Sequence, residues 1–186
     1  MSPSSHISDI VVKAHARANM IHRCFVSHNV NLLVRAYITY VRPLLEHNSV
    51  IWSPSLKRDI DSLERAQRRF TKRLHGFRHH SYEDRLQLLN LKRLETRRLQ
   101  HDLVWCYKIL FGIVQVDADA FFKFHVTATR GHPYKLYKQF NSSSVRASFF
   151  ADRVINVWNK LPIPIVDFTT LSSFRRTIEN TDLTAL

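Results

Sequence analysis

The stretch RDIDSLERAQRRFTKRLHGFRHH, Arg58–His80, decides the fold. With about 100° of turn per residue, Leu56, Ile60, Leu63, Phe70 and Leu74 fall on one side of a helix predicted over about residues 56–75. Arg58, Arg65, Arg68, Arg69 and Lys72 fall on the other. Three carboxylates, Asp59, Asp61 and Glu64, crowd its front end, where the helix dipole favours them, and the bases follow, where it favours cations. The dipole accounts for the order of the charges. It does not account for five bases sharing one outward face. Ser53-Pro54 reads as the helix start, with serine as N-cap and proline in the first turn.

Upstream, His6–Phe25 has helical periodicity through Ile10, Ala14, Ala18 and Ile21. Asn29–Ser53 is apolar on nearly all sides, with one polar stripe of Asn31, Arg35, Thr39, Arg42 and Glu46. It predicts a central, mostly buried helix, bent or broken near Pro43. Downstream, Ser81-Tyr-Glu-Asp84 resembles a capping box and starts a short helix through Leu89. A long helix follows over about 91–110. Leu99, Leu103, Cys106, Tyr107 and Leu110 form its apolar face. Its other face carries Arg93, Arg97, Arg98, His101, Lys108 and Trp105. Gly76 and Gly112 sit where helix-ending glycines belong. After Gly112 the pattern loosens. Thr129–Phe140 reads as a β-hairpin or extended arm, with Gly131 and Pro133 in its turn. Asn141–Ser144 should cap a helix over about 145–160, LPIPIVDF (Leu161–Phe168) is an extended linker, and Leu171–Glu179 is a last short helix. The expectation is a mainly α fold, a basic helical bundle with a small hairpin or extended arm near residues 124–140. It divides into residues 1–112 and 113–186.

The composition supports a globular chain. It has 186 residues, 45% hydrophobic and 23% charged, with 28 Lys/Arg against 15 Asp/Glu. That balance predicts a polyanionic partner, nucleic acid first and an anionic membrane surface second. Arg35, Arg42, Pro43 and Glu46 interrupt the most apolar run, so no transmembrane span is expected. Cys24 and Cys106 read as small hydrophobes in a reducing compartment rather than a disulfide.

Few catalytic arrangements survive inspection. No Gly-rich phosphate loop is present, and His22 and Cys24 have no second pair to complete a zinc site. His75, His79 and His80 fit a solvated basic face better than a metal site. Asp117 and Asp119 lack a third acid and fit a solvated loop. No serine has a base partner at a useful spacing. Neither an enzyme nor a cofactor is expected. Nucleic-acid contact needs clustered Lys/Arg for phosphates and exposed aromatic rings for stacking. Arg58, Arg65, Arg68, Arg69, Lys72, Arg93, Arg97 and Arg98 are the candidates for the first. Trp105 either stacks or packs against the C-terminal segment.

Five segments occur in order: YVRPLLEHNSVIWSP, DIDSLERAQRRFTKRL, SYEDRLQLLNLKRLETRRLQHDLVWCYKIL, TRGHPYKLY and FFADRVINVWNKLP. Together, over about residues 6–176, they resemble the region after the palm of reverse transcriptases of LINE-type, non-long-terminal-repeat retrotransposons. The resemblance implies a helical thumb and carboxy-terminal tail. The thumb of such polymerases grips a template–primer duplex, RNA or RNA–DNA, largely without sequence preference. Glu64–Leu74 would belong to it, and the partner it would pack on is a palm domain. The family's catalytic aromatic-x-Asp-Asp motif is not in this sequence, nor is an endonuclease domain. The implied state is a remnant or fragment without polymerase activity. A helical protein-interaction module is the alternative from a different class.

Overall fold

The computed structural model describes residues 3–25, 29–125, 132–140, 144–162 and 165–183. The chain is mainly α-helical and forms two compact units, Met1–Arg97 and Arg98–Leu186. The division falls inside a helix, not at Gly112. That helix changes core along its length: Leu94 is buried in the first core, and Leu103, Cys106 and Tyr107 in the second. A helix-ending glycine marks where a helix stops, whereas a core is bounded by the side chains that fill it.

In the first unit α1, Pro3–Cys24, buries Ile7, Ile10, Val11, Ala14, Ala18 and Ile21, the spacing of one helical face. It packs on α5, Lys57–Lys72. Between them run α2, Val30–Ala36, a π-helical turn at Tyr37–Val41, α3, Arg42–Glu46, and α4, Ser49–Trp52. Pro43 offers no amide hydrogen to the preceding turn. The turn widens just before it, and the Arg42 amide bonds Tyr37 O five residues back. The complete break comes later, at His47–Asn48, where Asn48 takes a positive φ of 52°. The segment is less enclosed than its sequence suggests, because Leu32, Tyr40 and Ile51 face solvent. Helix α5 starts at Lys57, after Leu56, because Ser53 closes α4 instead of opening α5. Leu56 is consequently exposed. The capping box is formed: Ser81 Oγ accepts from the Asp84 amide, and Asp84 accepts from the Ser81 amide, at the start of α6, Tyr82–Leu88.

Helix α7 spans Leu94–Leu110. It ends as a Schellman turn: Ile113 N–H reaches Lys108 O at 2.9 Å and Gly112 N–H reaches Ile109 O at 3.2 Å, with Gly112 at φ 63°. In the second unit α9, Phe150–Asn159, and α10, Leu171–Asn180, close the core over Trp158, Phe174 and Ile178. The helix expected over 145–160 is divided. A short α8, Ser144–Ala147, precedes α9, and Phe149 sits extended between them. Arg153 takes the Ser148 carbonyl at 3.1 Å, which holds that turn. The expected hairpin reduces, among the described residues, to one antiparallel bridge between Phe124 and Leu136. Of its expected turn, Gly131 lies outside the described residues, as do residues 141–143 of the expected cap. The extended arm is firmly held. The Asn159 amide accepts from Leu136 N–H and donates to Leu136 O, both at 2.8 Å. Trp158 Nε1–H donates to Tyr134 O at 2.7 Å.

Two imidazoles, His132 buried and His22 half-buried, have a pH consequence. His132 donates from Nε2 to Trp158 O at 2.8 Å, and burial pushes its pKa below 6.5. His22 lies against Phe70, ring centroids 4.7 Å apart; burial, then the charge of Arg73, pushes it down too. The folded chain therefore favours both in the neutral form. Their contribution to stability is present above pH 6.5 and is lost as pH falls through the folded pKa values. NMR titration of these imidazoles should give midpoints below 6.5. A midpoint at or above 6.5 for both would contradict the burial argument.

Candidate nucleic-acid interface

Helix α5 carries the candidate surface. Leu63, Ala66, Phe70 and Thr71 are buried, and Tyr37 stacks on Phe70 with centroids 4.7 Å apart. The opposite side leaves Arg65, Arg68, Arg69 and Lys72 exposed. Arg65, Arg69 and Lys72 have no acidic partner among the described residues. Arg68 lies over the Tyr82 ring, 4.8 Å from its centroid, and keeps its charge outward. Arg73 continues the face and bonds Asn19 Oδ1 of α1 at 2.6 Å. His15 of α1 is close enough to feel this field. Burial first, then Arg69 and Arg65, push its pKa down.

Carboxylates set this face. Glu64 is 5% exposed. It accepts from Tyr82 Oη–H, and from the Leu94 amide at 3.0 Å, so it caps the start of α7. Gln67 is wholly buried. It accepts from Tyr37 Oη–H at 3.1 Å and donates to Tyr82 Oη at 3.0 Å and Lys92 O at 2.9 Å. Burial, then Glu64, push the Tyr82 phenol far up, so it stays protonated as a donor. Asp59 is buried and accepts from Ser4 Oγ at 2.6 Å. Two of the three acids first attributed to the helix dipole therefore make tertiary bonds. The signal available was Glu64, Gln67 and Thr71 at i, i+3 and i+7, one stripe adjoining the apolar face.

The remaining candidates separate. Arg58 is exposed but pairs with Asp59 at 3.6 Å. Arg93 is exposed and pairs with Glu83. Arg97 does not join the face: it grips Glu46 with two hydrogen bonds, one at 3.0 Å, and Arg42 lies 3.9 Å from the same carboxylate. Arg98 is 3% exposed and cannot reach a phosphate. It follows the fully buried Leu94 by one helical turn, about 40° round the axis, whereas Leu103 lies nearly opposite. In the same unit Asp102 accepts two hydrogen bonds from Arg153, both at 2.8 Å. Burial pushes Asp102 up, against the opposing charges of Arg153, His101 and Arg98.

Trp105 is 40% exposed, and Lys108 Nζ stands 4.8 Å over its ring. Cys24 is exposed, Cys106 is buried, and both are free. Among the described residues no cluster of three His, Cys, Asp or Glu could hold a metal ion. Asp117 instead turns its carboxylate onto the Asp119 amide at 3.1 Å. Among the described residues, no helix is long and apolar enough to cross a membrane.

No family model matches the chain, and no solved structure matches it. An uncharacterized protein of Caenorhabditis elegans is 31% identical over 110 residues, covering 58% of this chain and 56% of that protein. The chain thus spans about half the length of the curated relative it matches, and the match is to sequence alone, with no activity attached.

Proposed function

We propose that the chain is a non-catalytic, nucleic-acid-contacting module, of the thumb-and-tail kind that its sequence motifs resemble in LINE-type reverse transcriptases. It grips duplex, RNA or RNA–DNA, through phosphates, with Arg65, Arg68, Arg69 and Lys72 as the contact set. Arg58 and Arg93, each shared with a carboxylate, lie outside that set. One observation carries the reading: Arg65, Arg69 and Lys72 crowd one exposed helical face with no acidic partner among the described residues. Neighbouring cations repel one another, and a surface that needed only solubility would intersperse acids. A phosphate backbone relieves that repulsion and releases counterions. Fluorescence anisotropy with a short duplex across a salt series tests it, and affinity independent of salt would refute it.

No polymerase activity accompanies this module, because the carboxylate pair that two-metal phosphoryl transfer requires is not in the sequence. Purified protein with primed template, nucleotides and Mg²⁺ or Mn²⁺ should give no extension. Labelled product above a boiled control would overturn this.

A second reading has its own support. Val12 and Met20 are 68% and 61% exposed, two turns apart on α1. Tyr40 is also exposed, and Arg17 of α1 donates to its carbonyl at 3.1 Å. Exposed apolar groups of this kind suit a protein surface such as a palm domain. If protein docking is the only role, duplex will not bind at any salt concentration.

A further inference from the structure

The second unit holds a hollow of about 410 Å³, within the roughly 300–1,000 Å³ usual for small-ligand clefts. Phe121, Tyr137 and Phe149 line it and are 44%, 51% and 60% exposed. Phe122 and Ile155, both buried, line it too. Its polar lining comprises Lys123, Arg146, Asp119, Asp152 and Gln139, with Arg146 and Asp152 3.7 Å apart. The ring positions follow from the fold. Phe149 is held extended at the turn between α8 and α9. Tyr137 is set by the antiparallel pairing, where its amide reaches Lys123 O at 2.7 Å.

We infer that this hollow takes one unpaired nucleobase of a single-stranded RNA or DNA. Three half-exposed aromatic rings around one opening offer flat faces for stacking, which favours any base without reading its identity. The lining carries both signs of charge and an amide. A base edge, which has donors and acceptors side by side, can satisfy such a mixture. A bare phosphate would meet Asp119 and Asp152, and a purely apolar ligand would strand four charges. Lys123 and Arg146 sit in the lining, and Lys138, next to Tyr137, donates to Asn156 Oδ1 at 3.0 Å. These cations suit the phosphates flanking a stacked base. A duplex, whose bases already stack on one another, has no free face to offer. The inference rests on the reading of the chain as a nucleic-acid module but concerns a different surface and a different form of the polymer.

The test uses the full chain and 12-nucleotide single strands, RNA and DNA, with 2-aminopurine at the centre. Stacking on an aromatic ring quenches this base. Wild-type protein should quench it. Phe149→Ala and Tyr137→Ala should each weaken single-strand binding about tenfold and abolish most of the quenching. Phe149→Tyr should restore both. Both rings are half or more exposed, so the variants should fold, as circular dichroism can check. Changing Arg65, Arg68, Arg69 and Lys72 to Gln should leave quenching at saturation intact. Quenching in either the RNA or the DNA strand supports the site. Quenching in neither, or quenching unchanged in both alanine variants, overturns it. If quenching persists while duplex binding is absent, the helical-face proposal fails and this one stands. If duplex binds with a steep salt dependence and no base is quenched, the reverse holds.

Discussion

Replacing Arg65, Arg68, Arg69 and Lys72 together by glutamine is expected to leave a folded chain whose duplex binding has lost most of its salt dependence. Each phosphate contact contributes about 0.9 to the log–log slope on duplex. Four lost contacts should flatten that slope by about 3.6. Between 50 and 200 mM salt, wild-type affinity should then fall roughly a hundredfold further than that of the variant. Glutamine has nearly the helix propensity of arginine and lysine, and all four side chains are exposed. Folding is therefore spared, except that Arg68 gives up its place over Tyr82, worth about 0.5–1 kcal/mol. A folded variant with unchanged affinity and slope would remove this helix from any nucleic-acid site. Solvation would then be the whole purpose of its charge.

Glu64→Ala should destabilise the first unit as much as truncating one of its core side chains. It strips the acceptor from the Leu94 amide and from the Tyr82 hydroxyl. Both are enclosed, and leaving such donors without partners costs about 3 kcal/mol. For a unit of this size that lowers Tm by roughly 10–20 °C. Glu64→Gln keeps an acceptor oxygen and should cost about a third as much. Thermal melts of the two variants decide the matter. If alanine is as stable as glutamine, the carboxylate is not the hub its bonds indicate.

What could be read in advance followed local rules. The face of α1, the Ser81 capping box and the glycine at the end of α7 each depend on neighbours in sequence, and all are present. So is the outward placement of Arg65, Arg68, Arg69 and Lys72. What could not be read depended on distant partners. Arg97 was placed with the free cations because Glu46, 51 residues away, gives no local sign that it will meet it. Ser53 looks like a helix start until α4 claims it as an end. The boundary at Gly112 failed for the same reason, since nothing nearby shows that Leu94 and Leu103 belong to different cores. Arg98 is the instructive exception. Its position opposite Leu103 and its charge both argued for solvent, yet it is buried, one turn beyond Leu94.

The chain of bonds from Tyr37 through Gln67 and Tyr82 to Glu64 bears on the azimuth of α5. An amphipathic helix resting on apolar neighbours can roll some tens of degrees with little penalty, because dispersion contacts have no direction. Hydrogen bonds do have direction, and here they act as a key in a keyway. A roll of one residue, about 100°, would break every one of them and carry Arg65 or Arg68 toward the core. Uncharged and partly charged groups on the hidden side therefore set the compass bearing of the cations on the visible side. Over the roughly 10 Å from Arg65 to Lys72, the stems of the four side chains leave the helix along a fixed line, while their charged ends stay loose. A rigid phosphate lattice would meet a row of stems already aligned and would have only their ends to order.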